Sequence, residues 1–137
     1  MIKNINLQFL ISYLGFVPFL IAIADKFFFH YLNTSIVDDF IIIYSLIIFV
    51  FIGAINWDLR KRTPVKLVLF GFFPSLISVI LLSMHLMRYE VGIILITFII
   101  LQFLIDNYFY KKTSEREVYF KLRLPLTICI VLSLAII

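Results

Sequence analysis

Apolar residues fill this chain in five long stretches, broken by short connections where most of the charge collects. The stretches run from Leu7 to Phe27, Phe40 to Trp57, Val65 to Met87, Val91 to Ile105 with an aromatic extension to Tyr110, and Tyr119 to Ile137. A helix crossing hydrocarbon needs about 20 mainly apolar residues at about 1.5 Å rise each, since every backbone N–H and C=O must be paired within the segment. The pattern predicts helices over about 7–27, 40–57, 65–87, 91–110 and 115–137, a five-helix transmembrane bundle forming one integral membrane domain across residues 1–137. Little is left for a soluble domain.

Composition strengthens that reading. Hydrophobic residues make up 64% of the 137 residues and mean hydropathy is +1.12, beyond the roughly half apolar content of soluble domains. The lone cysteine, Cys129, lies inside the last apolar run, so no intrachain disulfide or thiolate metal cluster is open to it. It is expected as a small buried apolar side chain.

Charge sets an expected orientation, because short loops rich in Lys and Arg stay cytoplasmic. Lys3, Arg60, Lys61, Arg62, Lys66, Lys111, Lys112, Arg116, Lys121 and Arg123 share one face, while Lys26 and Arg88 alone occupy the other. The amino terminus is therefore expected in the cytoplasm and the carboxyl terminus in the periplasm. Trp57, Tyr108, Tyr110 and Tyr119 fall at the inner boundary and Tyr31 and Tyr89 at the outer one, as interfacial aromatics do. The net charge of +4 does not imply a nucleic-acid partner, since these cations sit where anionic headgroups supply the counter-charge. Lys3, an apolar run and Ala22-Ile23-Ala24 before Asp25 also imitate a cleavable secretory signal, but the run is long enough to span.

Gly15-Phe16-Val17-Pro18-Phe19-Leu20-Ile21 reappears as Gly71-Phe72-Phe73-Pro74-Ser75-Leu76-Ile77. Proline removes a backbone donor and crowds the carbonyl four residues earlier, so Pro18 and Pro74 should bend helices one and three and free the carbonyls of Leu14 and Phe70. Pro125 falls inside helix five, which must include the residues before it to be long enough. Interrupted helices in corresponding positions are a pointer to a transporter's site. The duller use is close packing: Ser12, Gly15, Phe19 and Ala22 share one helical face, as do Gly71, Ser75 and Ser78, with Ser45 and Gly53 on helix two.

The expected topology brings a polar group together at the inner boundary: Asn56, Trp57, Asp58 and Arg60 from helix two, Gln102 and Asp106 from helix four, Arg123 and Thr127 around Pro125. A carboxylate near hydrocarbon must be paired, so Asp106 is expected to meet Arg123 or Arg60, with Asn56 and Gln102 supplying amide hydrogen bonds. The cluster is either a clamp or a site for a headgroup, anion or proton. Ser114-Glu115-Arg116-Glu117 has capping-box spacing and should start helix five. His30 and His85 close helices one and three, where interfacial solvation is expected rather than a haem or metal. No phosphate loop, zinc-spaced cluster or membrane-protease arrangement is present in the sequence, so neither catalysis nor a cofactor is expected.

Together these residues resemble domain-of-unknown-function family 3429, whose relatives include the mitochondrial transmembrane protein 69. The likeness covers nearly the whole chain, through Leu14-Gly15 to Pro18-Phe19-Leu20, Phe51-Ile52-Gly53-Ala54 before Asn56-Trp57, Pro74-Ser75-Leu76, Asp106, and Leu122-Arg123 to Leu126-Thr127. Relatives usually carry His before the Trp and Gly after it, where this chain has Asn56 and Asp58, so a role that needs protonation there is in doubt. The resemblance implies a multi-pass protein of the bacterial inner membrane and supplies no activity. The expected role is a scaffold, assembly factor or accessory subunit of a membrane complex, its partners being the bilayer and other membrane proteins or further copies of itself. A small-solute or ion transporter built on the kinked helices and the polar cluster is the alternative.

Overall fold

The computed structural model describes Leu7 and residues 10–54, 65–110 and 116–137, giving only the backbone course at 110, 116–120 and 122. Among the described residues every regular element is helical. The first span, Leu10–Phe29, is composite: a helical stretch over 10–14, a turn at Gly15 and Phe16, α1 (Val17–Ala24), and a π-helical continuation, Asp25–Phe29. Four longer helices follow: α2 (Thr34–Ala54), α3 (Val65–Leu86), α4 (Gly92–Tyr110) and α5 (Arg116–Ala135). The first span, α2, α3 and α4 are each long and apolar enough to cross a membrane. α5 has 20 residues, about 30 Å at helical rise, and among the described residues its stretch Arg123–Ala135 is apolar.

Helices three to five match their predicted bounds to within two residues. Helix two does not: it starts at Thr34 rather than near residue 40. Asn33 stands at its cap position, its carbonyl accepting the N–H groups of Ile36 and Val37. Asp38 and Asp39 broke the apolar pattern but are held inside the helix by ion pairs to neighbouring elements. Its predicted end at Trp57 and the predicted cap at Ser114 lie outside the described residues.

Helix one is interrupted rather than merely bent. The Gly15 and Phe16 turn ends one helical stretch and Pro18 enters the first turn of the next, where its missing N–H has no intrahelical partner to lose. α3, by contrast, runs unbroken through Pro74. The repeated motif is thus used in two ways.

α2 is the centre of the bundle. It packs chiefly on α3, and also meets α1, α4 and α5, while α4 packs chiefly on α5. Of its apolar window 44% is buried, against 17–22% for the other three long spans. Ile41, Phe49 and Ile52 of α2 meet Leu81 of α3, Leu95 and Ile99 of α4, and Ile130 and Leu134 of α5 in one core. Many large apolar side chains, such as Leu20, Val79, Ile93 and Leu132, are left exposed, as suits lipid rather than water.

Small residues close the α2–α3 contact as expected. Gly53, Gly71, Pro74 and Ser78 are buried there, and Ser75 is partly so; the Ser78 hydroxyl lies 3.4 Å from the Leu46 carbonyl, and Ser45 of α2 is also buried. On helix one, Phe19 and Ala22 are buried while Gly15 is half-buried. Cys129, expected inside, is exposed: α5 turns Arg123, Thr127, Ile130 and Leu134 inward, and Cys129 lies off that face.

Two tyrosines tie the first span to its neighbours. Pro125 has no N–H, so the Lys121 carbonyl lacks its helical partner; the Tyr13 hydroxyl donates to it at 3.0 Å. The Tyr44 hydroxyl donates to the Gly15 carbonyl at 2.7 Å, beside the interruption. Tyr13→Phe should lower stability by about 0.5–1.5 kcal/mol. In a Pro125→Ala background the restored N–H serves Lys121 and the same change should cost clearly less, a double-mutant cycle readable by thermal unfolding in detergent.

Candidate functional site

Gln102 and Asp106 stand one turn apart on α4, a spacing at which helical side chains meet. Gln102 Nε2 donates to Asp106 Oδ1 at 2.9 Å. From α5, Arg123 Nη2 donates to Asp106 Oδ2 at 3.0 Å. The pair is sealed: Asp106 is 1% exposed and Arg123 4%. Buried charges are costly unless paired and hydrogen-bonded, and here each carboxylate oxygen has a donor, one of them cationic. Of the two expected partners, Arg123 is on the carboxylate, and Arg60 lies outside the described residues.

Thr127, one turn beyond Arg123, is also buried, and among the described residues its hydroxyl has no hydrogen-bond partner. Arg123 borders a groove of about 430 Å³ between the first span, α2 and α5, with Ser12, Gly15, Tyr44, Ile48 and Leu126 along its walls. Asn56, Trp57 and Arg60, the helix-two part of the expected cluster, lie outside the described residues. Of the kink residues, Pro18 lines a separate pocket at the other end of the first span, Pro74 is buried, and Pro125 frees the carbonyl that Tyr13 takes.

A second polar layer occupies the opposite end of the bundle, and sequence reasoning did not assemble it. Asp38 accepts from Lys26 Nζ at 2.6 Å, while its neighbour Asp39 lies 3.0 Å from His85 Nε2 and 3.9 Å from Arg88 Nη1. Consecutive residues at the start of α2 therefore hold the first span on one side and α3 on the other. Lys26 Nζ also lies 3.4 Å from the Ile136 carbonyl, so the end of α5 joins this layer. Asp25 is buried and accepts the N–H groups of Tyr31 and Leu32. The signal was available: acids breaking an apolar run need partners, and His85 lay at the same predicted depth. Among the described residues no three His, Cys, Asp or Glu side chains are set to hold a metal.

A helical bundle of this kind, with several helices long and apolar enough to cross a bilayer, has the character of a membrane protein. The chain belongs to the family described as protein of unknown function (DUF3429), which it matches over residues 6–137. No curated protein and no solved structure matches it.

Proposed function

We propose that this protein is a multi-pass component of the bacterial inner membrane that serves as a scaffold, assembly factor or accessory subunit of a larger membrane complex. The observation that carries the reading is how the polar side chains are spent. Asp106 is closed by Gln102 and Arg123, and the outward faces of the helices are apolar. A carboxylate held on both oxygens acts as a clamp between α4 and α5. The apolar outer faces are free for lipid and for other helices, and small residues such as Ser75 offer close approach. Kinship with the mitochondrial transmembrane protein 69, expected from the sequence motifs, is part of the same proposal, as is the orientation with the amino terminus in the cytoplasm.

Affinity purification of the tagged chain from native membranes in mild detergent tests it. A second membrane protein is expected to co-purify at fixed stoichiometry, and recovery of monomer alone overturns the reading. Transport of a small solute or ion is the alternative, favoured by the groove that Arg123 borders beside the interrupted first helix. Solute flux through liposomes holding only this chain would decide for transport.

A further inference from the structure

Asp25 sits where α1 passes into its π-helical continuation, a feature that recurs at functional sites. It is only 8% exposed. Its two oxygens accept the backbone N–H groups of Tyr31 at 3.0 Å and Leu32 at 3.1 Å. Those bonds fix the loop into α2, but a carboxylate offers about four lone-pair positions, so one remains on each oxygen. Among the described residues no cationic side chain forms an ion pair with it: Lys26 goes to Asp38, and His85 and Arg88 go to Asp39. A buried carboxylate without a counter-charge is an expensive group to retain for loop geometry alone.

The same residue borders a pocket of about 400 Å³ whose other walls include Ile21, Tyr31, Val37 and Phe40. That volume falls within the roughly 300–1,000 Å³ of small-molecule sites, which are mainly apolar with a few placed polar groups. Among the described residues at this end, Asp25, Asp38, Asp39 and Glu90 outnumber Lys26 and Arg88, with His85 beside Asp39, so the local field draws cations. We infer that the pocket binds an amphiphile bearing an alkylammonium group. The ammonium sits on the open positions of Asp25 beside the Tyr31 ring, and the tail lies along Ile21, Val37 and Phe40. A phospholipid fits less well, because its phosphate would face the same acidic groups. The inference is independent of the assembly role proposed above.

Native mass spectrometry of the full chain released from dodecyl maltoside micelles tests this with dodecylammonium, dodecanol, dodecyl sulfate and phosphatidylethanolamine as probes. A saturable one-to-one adduct is expected with dodecylammonium alone. Asp25→Asn, which keeps one acceptor for the loop but removes the charge, should weaken it by about tenfold or more. Ile21→Trp fills the pocket from its exposed rim and leaves Asp25 intact, so it should abolish the adduct without unfolding the protein. Equal adducts with dodecanol, sulfate or phosphatidylethanolamine overturn the proposal. So does unchanged dodecylammonium binding in Ile21→Trp, or in Asp25→Asn that melts like the parent.

Discussion

Arg123→Met, with Asp106 left in place, should destabilise the detergent-solubilised protein by about 3–5 kcal/mol, the range seen when one partner of a buried ion pair is removed. Asp106 is almost wholly buried, so the abandoned carboxylate loses its Arg123 donor and must either remain charged in a sealed interior or take up a proton. Asp106→Leu should be comparably harmful, for it leaves the guanidinium inside. Combining Asp106→Leu with Arg123→Met removes both desolvation costs at once. The double variant is therefore expected to recover most of the lost stability, since apolar replacement of a whole buried pair is often neutral or better. Thermal unfolding of the two single variants and the double variant reads this directly. If the losses simply add, the two side chains do not work as a unit. A stable double variant that still captures the partner proposed above would separate the clamp from any chemistry at this position.

Gly53→Ala is the second large effect. A Cβ there would stand 2.5 Å from the Gly71 carbonyl oxygen and 2.8 Å from Pro74 Cγ. One neighbour is backbone and the other a closed ring, so neither can turn aside. α2 and α3 must move apart, at a cost of about 1–3 kcal/mol for an overpacked contact, and Gly53→Val should cost more. Gly92→Ala is the control, because nothing lies within 4 Å of its added Cβ. A Gly53→Ala protein that melts with the Gly92→Ala control would show that the helices have room to spare.

The contrast between these two sites shows what could be read in advance. Apolar length placed α3 and α4, because hydrocarbon-spanning helices must satisfy their own backbones and can end only where polar residues gather, whereas the start of α5 also needed the Ser114 capping-box spacing. The need of Asp106 for a cation led to Arg123 by depth, with no contact known. Depth did not distinguish Arg123 from Arg60; the packing of α4 on α5 brings Arg123 to the carboxylate, while Arg60 lies outside the described residues. Small residues at Gly53 and Gly71 announced a close helix pair without saying that they face each other. The start of α2 was misplaced because Asp38 and Asp39 look like a loop until Lys26, His85 and Arg88 are brought beside them. The rule applied to Pro18 and Pro74 was not extended to Pro125, where it frees the Lys121 carbonyl; the donor, Tyr13, is distant in sequence and only the fold supplies it. Cys129 was assigned to the interior by residue type, whereas the direction of each side chain is set by which helical face carries Arg123 and Ile130.

The first span is the least buried of the long segments, and its links to the rest include the hydroxyls of Tyr13 and Tyr44 and the Lys26 ammonium. Hydrocarbon cannot compete for those bonds, but water can. Solvents that admit moisture between the helices should therefore peel this segment away while the α2–α3 and α4–α5 hairpins stay zipped, making extraction chemistry the first thing to choose with care.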